Sequence, residues 1–319
     1  MPNLLLTNVC NLSCKYCFAH GVNQDQAQFL TMETLGQVIK FLQHSHCQEI
    51  GLIGGEPTLH PQFGEILSRL VEKEHFRKVF VYSNGIALER FFPDALKLEV
   101  CYLINVNDPK FIGEERFQAI RHMLTAAQQL HHLEQFSLGI NLFEECQSFE
   151  PALQLCTEFG FRALRLSVVV PKNTTSARDY FFQLKPTLMA LYHRLKELHI
   201  TPKYDCNIVP PCMFTQEELQ FLRTMPGSPE DIARITGAWA VCKPVVDIYP
   251  DLSVARCFGF SDKRHHKLTD FSDISDVERC MIYETDLQFL GKPPEICAEC
   301  YLCQTLRCFG GCLRFRRKE

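Results

Sequence analysis

Short apolar runs alternate with amphipathic stretches along most of the chain. Leu4-Leu5-Leu6 opens the series as a buried strand. Behind Thr31, a side chain suited to cap a helix N-terminus, Leu35, Val38, Ile39 and Leu42 recur at helical spacing. Ile50 to Ile53 predicts a second strand, and Phe63, Ile66, Leu67 and Leu70 mark one face of a helix over 61–74. Further strands are expected at 78–82, 102–107, 136–143 and 163–170, separated by helical patterns at 87–98, 112–132 and 148–159. Within 172–200, Phe182, Leu184, Leu188, Leu191 and Leu195 predict a long amphipathic helix. Thr215 to Ala240 reads as helical with a break at Gly227-Ser228-Pro229. Strand and helix alternate about six times without internal repetition, which predicts a parallel sheet with right-handed crossovers. Such a sheet curls toward a barrel, with ligand groups at the strand C-termini.

With 319 residues, 46% of them hydrophobic, the chain can build one large α/β domain and a smaller appendage. Its apolar runs, such as Leu166 to Val170, are too short to span a bilayer, and Met1 to Val9 lacks the basic and apolar regions of a signal peptide. No membrane partner is expected. A net charge of −4 argues against a nucleic-acid partner, so the basic end at Arg314, Arg316, Arg317 and Lys318 reads as a solvated tail. Seventeen cysteines in a chain this large, without a secretion signal, favour metal or cluster ligation over disulfides. The expected compartment is reducing, the cytoplasm. Cys47, Cys101, Cys146, Cys156 and Cys280 read as core positions, and His44-Ser45-His46-Cys47 as a polar helix end.

Three other cysteines stand in a loop directly after the first strand: Cys10-x3-Cys14-x2-Cys17, bracketed by Asn8 and Asn11. Three thiolates do not close a four-iron cluster, so one iron is left for an outside ligand. A structural zinc or a set of buried cysteines is the plainer reading of the triplet. The second strand ends in Gly54-Gly55-Glu56-Pro57, where two residues without side chains let backbone approach a ligand and Glu56 offers charge or an acceptor. The plainer reading there is a tight turn.

Taken in order, these motifs resemble the radical SAM (S-adenosylmethionine) superfamily, whose Cys-x3-Cys-x-aromatic-Cys signature is met by Cys10, Cys14, Tyr16 and Cys17. The resemblance implies a partial (β/α)6 TIM barrel core over 1–205. It implies a [4Fe-4S] cluster on Cys10, Cys14 and Cys17, with SAM on the open iron. Tyr16 would lie against the adenine, and Gly54, Gly55, Glu56 and Pro57 would border the SAM amino group. Strand-end residues Ser83, Asn84, Asn105, Asn107 and Asn141 are candidate SAM contacts, and Arg165 a bidentate partner for its carboxylate. Related enzymes often carry serine and aspartate where this chain has Asn105 and Asn107.

Residues 206–241 read as a connecting segment. Tyr204 to Phe214 should lie near the barrel mouth, which makes Asp205, Cys206 and Cys212 candidates for proton or hydrogen-atom transfer; buried structural cysteines are the alternative. From 242 to 319 the composition changes. Cys242 and Cys257 flank a β-hairpin, Val245 to Arg256, with Pro250-Asp251 in its turn. Then comes Cys297-x2-Cys300-x2-Cys303-x4-Cys308-Phe309-Gly310-Gly311-Cys312, a strong ligand signal for iron–sulfur or zinc. This small cysteine-rich domain resembles the SPASM and twitch extensions, which implies one or two auxiliary [4Fe-4S] clusters. It departs from the SPASM pattern at Leu252, where glycine is usual, and in the x4 spacing before Cys308.

The combined resemblance implies reductive cleavage of SAM to a 5′-deoxyadenosyl radical that takes hydrogen from a substrate. A peptide or protein substrate, oxidised or crosslinked, is the first expectation. A small-molecule dehydrogenase or epimerase is the second, and a non-catalytic iron–sulfur or zinc protein the third. An electron donor such as flavodoxin or ferredoxin is implied. Nine residues precede Cys10, too few for a fused peptide-recognition domain, so a separate recognition protein or the barrel mouth itself would select the substrate.

Overall fold

The computed structural model describes residues 1–17, 27–169, 177–204, 209–237, 242–290 and 295–313. The glutamine-rich stretch as far as residue 26, Asp205, Cys206 and the basic end from Arg314 lie outside them. Two compact units are present: Met1–Asn105 with Pro109–Ser137 and Pro244–Thr285, and Val106–Asp108 with Leu138–Lys243 and Asp286–Glu319. Residues 244–285, read from sequence as part of the C-terminal module, pack within the first unit. The chain has the expected α/β class with parallel strands.

In the first unit β1 (Asn3–Leu5), β2 (Glu49–Ile53), β3 (Lys78–Ser83) and β4 (Val100–Asn105) are parallel neighbours in that order. On the other side of β1 lies β8 (Asp247–Ile248), also parallel to it, with Asn3 opposite Asp247. β9 (Ser253–Ala255) and β10 (His266–Lys267) continue the sheet antiparallel. β8 and β9 are the expected hairpin.

Helix α1 (Met32–His44) forms where its periodicity placed it. Thr31 Oγ1 accepts from Thr34 N at 3.0 Å, closing one of the N–H groups left open at the helix start, and Leu35, Val38, Ile39 and Leu42 are buried. Each such aliphatic side chain contributes about 1.5–3 kcal/mol by leaving water. α2 (Phe63–Ser68) buries Phe63, Ile66 and Leu67 and widens into a π-turn through Lys73. The helix expected over 87–98 is instead two short pieces, Glu89–Phe91 and α3 (Asp94–Lys97), parted by Pro93, which has no N–H for the helical ladder. The pattern at 112–132 divides at Gly113 (φ 87°) into α4 (Pro109–Ile112) and α5 (Glu114–Gln129).

In the second unit β5 (Phe136–Leu142, from Leu138 onward), β6 (Ala163–Val168) and β7 (Thr201–Tyr204) are parallel. α6 (Glu150–Phe159) stops at Gly160, in the left-handed conformation. α7 (Ala177–Glu197) buries Phe181, Leu184, Leu188, Leu191 and Leu195, and Phe182 is 40% exposed. The alternating three- and four-residue steps put position 181, not 182, on the buried stripe. β7 carries Pro202 and Lys203 and has no sequence signature of a strand; it lies at a sheet edge, where proline is tolerated. α8 (Gln216–Leu222) and α9 (Pro229–Ile235) start at Thr215 and Ser228, each in a capping box, on either side of the expected break.

Of the cysteines read as core positions, Cys156 is buried; Cys47 and Cys280 are half-buried, and Cys101 and Cys146 are exposed. Cys101 shows why: it falls on the outward position of β4's alternation. No helix among the described residues is long and apolar enough to cross a membrane.

Candidate active site: a cysteine loop held by two strand ends

The Cys10 loop leaves β1 and is closed at its base by Gln28 to Leu30. Thr7 and Phe29 form an antiparallel bridge, Leu30 N donates to Leu6 O at 2.8 Å, and Gln28 N donates to Asn8 Oδ1 at 2.8 Å. Thr7 Oγ1 donates to Gln28 O at 2.7 Å and accepts from Val9 N at 3.1 Å. His60, buried, donates from Nε2 to Leu30 O at 2.8 Å while Nδ1 accepts from Gln62 N at 3.1 Å. Burial holds its pKa below the usual histidine range, so the ring is a neutral fastener of that base.

The end of β2 lies directly against the loop. Gly55 N donates to Thr7 O at 2.7 Å and Glu56 N to Val9 O at 2.8 Å. A Cβ on Gly54 would meet Thr7 O at 2.4 Å, and one on Gly55 would meet Val9 O at 2.2 Å. Both glycines are therefore required by a close approach of backbone to backbone. An open cleft of about 430 Å³ borders the two motifs, lined by Thr7, Asn8, Gly54, Gly55, Phe258 and Arg264 among others.

Glu56 is 1% exposed and has four donors: Thr58 N (3.2 Å), Thr58 Oγ1 (2.7 Å), Ser83 Oγ (2.7 Å) and Asn84 N (2.8 Å). Burial raises its pKa, and the hydrogen bonds oppose that rise. The carboxylate expected to face an ammonium thus ties the end of β2 to the end of β3. Ser83 donates to it and accepts from Gly85 N at 2.9 Å. Asn84 completes the connection: its Nδ2 donates to Asn11 Oδ1, between Cys10 and Cys14, at 2.7 Å. Sequence reasoning missed Thr58, the Asn11–Asn84 bond and the Thr7 fastening. Their only trace there was the polar residues at strand ends.

Within the loop, Leu12 N donates to Cys10 Sγ at 3.4 Å and Cys17 N to Cys14 O at 3.0 Å. Tyr16, expected against an adenine, stands by the Cys14 thiol, where its hydroxyl opposes the rise in that thiol's pKa. Cys10 as a residue is exposed, yet packing around its sulfur, then Glu56, Cys14 and Cys17, push its pKa up to about 11. Burial raises Cys14 too. Three sulfurs close enough to repel as thiolates, one already accepting a backbone N–H, form the all-thiolate donor set that suits an iron–sulfur cluster. Binding must release the thiol protons.

Among the other expected SAM contacts, Pro57 starts a buried 3-10 turn. Asn105 ends β4, and Asn107 is buried just beyond it. In the second unit Arg165 Nη1 donates to Asn141 Oδ1 at 2.9 Å, across the β5–β6 pair, so these two candidates meet each other.

The C-terminal cysteines of the second unit also gather. Cys300 N donates to Cys297 O, Cys303 N to Cys300 O, and Gly310 N to Cys308 Sγ at 3.3 Å. Gly310 and Gly311 take φ of 72° and 99°, which permits the tight wrap. Burial raises the Cys308 thiol, and it also senses charge on Cys212, Cys300 and Cys303. Cys212, read from sequence as a hydrogen donor, is thus close to the C-terminal thiols; a Cβ on Gly311 would lie 3.7 Å from Pro210, two residues before it. Cys312 is half-buried, as are Cys242, in the second unit, and Cys257, in the first. Leu252, at the position where SPASM sequences usually carry glycine, takes φ of 62°, a conformation glycine adopts freely.

Residues 4–110 match the family model described as the radical SAM superfamily. A GTP 3′,8-cyclase of Vibrio cholerae is 27% identical over 174 residues, which are 53% of this chain and 45% of that protein. The match therefore spans less than half of that relative's length. Two solved structures resemble nearly the whole chain. One is anSMEcpe with bound AdoMet (TM-score 0.65, 17% identity, 98% of this chain and 90% of that one). The other is Streptococcus suis SuiB bound to the precursor peptide SuiA (TM-score 0.62, 13% identity, 99% and 72%).

Proposed function

We propose, from the match of residues 4–110 to the radical SAM superfamily model, that this chain is a radical SAM enzyme acting on a peptide or protein. The observation that carries the reading is the loop of Cys10, Cys14 and Cys17 locked to Gly55, Glu56 and Asn84 by hydrogen bonds of 2.7–2.8 Å. A [4Fe-4S] cluster held by those three cysteines, with SAM on its open iron, would supply reductive cleavage of SAM and a 5′-deoxyadenosyl radical able to take hydrogen from a substrate.

The chain's own residues hold and orient. Glu56, Ser83 and Asn84 are positioning residues that fix the loop relative to the strand ends. Gly54 and Gly55 leave backbone bare at the cleft, where the SAM amino group is proposed to sit. Tyr16, beside Cys14, is proposed to border the adenine, and Asn105, Asn107, Asn141 and Arg165 to meet the remaining polar groups of the cofactor. Cys297, Cys300, Cys303, Cys308 and Cys312, with Cys242 and Cys257, are proposed as ligands of one or two auxiliary [4Fe-4S] clusters. Cys212 is assigned to that group of thiols. An external low-potential electron donor is required by the chemistry.

The peptide reading draws on SuiB bound to the precursor peptide SuiA and on anSMEcpe bound to the Cp18Cys peptide, whose likeness extends over 98–99% of this chain and so includes the cysteine-rich end. A nucleotide substrate is the second reading, favoured by the GTP 3′,8-cyclase, whose match covers 53% of the chain. The test is anaerobic turnover with SAM and reductant, offering GTP or a library of short peptides. Stimulated 5′-deoxyadenosine formation with a hydrogen-loss mass change on a peptide is expected. Conversion of GTP with inert peptides would replace the first reading by the second.

A further inference from the structure

Away from the cysteine loop, His266, Cys280 and Glu284 converge in the first unit, each offering one ligand atom, all within 4.8 Å of one another. Their elements explain the convergence. His266 opens β10, and its ring packs edge-on against Phe271, centroids 5.5 Å apart. Cys280 lies near the end of α10 (Ile274–Met281), a helix anchored at its start by Asp273 Oδ1 accepting from Asp276 N at 2.8 Å. Glu284 follows four residues later in the π-turn Ile282–Asp286, so it shares a side with Cys280.

His266 Nε2 is 2.9 and 3.0 Å from the two carboxylate oxygens of Glu284, and the Cys280 sulfur lies within 4.8 Å of both ligand atoms. A surface His–Glu pair by itself contributes about 0–1 kcal/mol. Here a thiol stands beside the pair, and the three donors span sulfur, nitrogen and oxygen. We propose that His266, Cys280 and Glu284 form a zinc site, three-coordinate from the protein with a fourth position for water.

The ligand set selects the ion. A thiolate disfavours Mg²⁺ and Ca²⁺, which take oxygen donors, while Zn²⁺ accepts sulfur, imidazole and carboxylate together in tetrahedral geometry. Zn²⁺ would take the place of the proton between His266 Nε2 and Glu284 and of the Cys280 thiol proton. The Cys280 proton leaves to solvent, and the imidazole proton shifts from Nε2 to Nδ1 so that Nε2 can face the metal. One proton is then released per ion bound. The ion would fasten α10 to the sheet edge. Asp276, which faces Cys280, is paired with Arg279 at 3.2 Å, leaving the trio's own carboxylate to balance the metal charge.

The site is independent of the radical SAM reading and is tested apart from it. Protein with its iron–sulfur clusters reconstituted is titrated anaerobically with Zn²⁺, and with Co²⁺ as a spectroscopic probe. The expected result is one equivalent bound, an intense thiolate-to-Co²⁺ charge-transfer band and a rise in thermal midpoint, with iron and sulfide unchanged. Cys280→Ala should abolish the band, and Glu284→Gln should weaken binding at least tenfold; both side chains are at least partly exposed, so both variants should fold. Equal Zn²⁺ stoichiometry and affinity in wild type and both variants, or a Co²⁺ spectrum without thiolate character, would overturn the site.

Discussion

Replacing Gly55 by alanine should damage the cysteine loop although it adds one methyl group. That methyl would fall 2.2 Å from Val9 O, 2.6 Å from Val9 C and 2.8 Å from Asn8 O, all backbone atoms. Ordinary contact begins near 3.4 Å, so the two chain segments must part by about 1 Å. Overpacking of this kind costs about 1–3 kcal/mol. Parting also strains the Gly55 N–Thr7 O and Glu56 N–Val9 O hydrogen bonds, each worth about 1 kcal/mol. With both bonds lost the sum is about 3–5 kcal/mol, a large share of the ~5–15 kcal/mol that stabilises a domain. Val9 precedes Cys10, so the displacement also reaches the proposed cluster, and a misplacement of about 1 Å lowers turnover by on the order of 100-fold. Gly36→Ala is the control. Its methyl meets the end of the Arg69 side chain at 3.2 Å, which can yield, and alanine within α1 gains about 0.5–1 kcal/mol in helix propensity. Urea unfolding and iron content of the reconstituted proteins read both effects. A Gly55→Ala protein within ~0.5 kcal/mol of wild type and fully loaded with iron would refute this account of the close approach.

Three further outcomes are expected. Glu56→Gln should lower the urea midpoint by an amount equivalent to about 2–3 kcal/mol, because an amide turns one acceptor into a donor facing Asn84 N or the Ser83 and Thr58 hydroxyls; unchanged stability would remove the carboxylate's role as a tie. Asp247 is buried beside Asn3, and burial raises its pKa from 3.8 to about 7. The folded state binds the extra proton, so this group's contribution is fully present below about pH 4 and lost as pH rises through about 7, at most ~4 kcal/mol; Asp247→Asn should shrink the stability difference between pH 5 and pH 8, and an undiminished difference would assign the dependence elsewhere. Cys212→Ala should lower iron in the auxiliary site and change its electron paramagnetic resonance signal while the Cys10 cluster stays loaded. An unchanged iron count and spectrum would return Cys212 to its reading as a hydrogen donor.

What sequence made legible was periodic or local. Val38 and Leu42 recur at helical spacing behind the cap at Thr31, and both features appear in α1. Pro250-Asp251 sits in the turn of the expected hairpin. What it hid depends on partners distant along the chain. The pairing of β8 with β1, with Asn3 opposite Asp247, leaves no mark on either short segment. Glu56 looked like an open charge because its donors Ser83 and Asn84 come 27 and 28 residues later. Phe182 was misplaced by a single position, since adjacent phenylalanines satisfy composition equally and only the helical phase separates them. Cysteine identity alone also misled: Cys101 is exposed because backbone direction, not residue type, sets which face of β4 it occupies, and Cys146 is exposed in the turn after β5.

The central claim is that the Cys10 loop holds a SAM-cleaving cluster. The most direct measurement is anaerobic incubation of the reconstituted protein with SAM and a strong reductant, followed by assay for 5′-deoxyadenosine, alongside direct SAM binding. The account predicts 5′-deoxyadenosine from the wild type, none from Cys14→Ala, and auxiliary iron retained in that variant. Intact clusters that neither bind SAM nor cleave it would contradict the account.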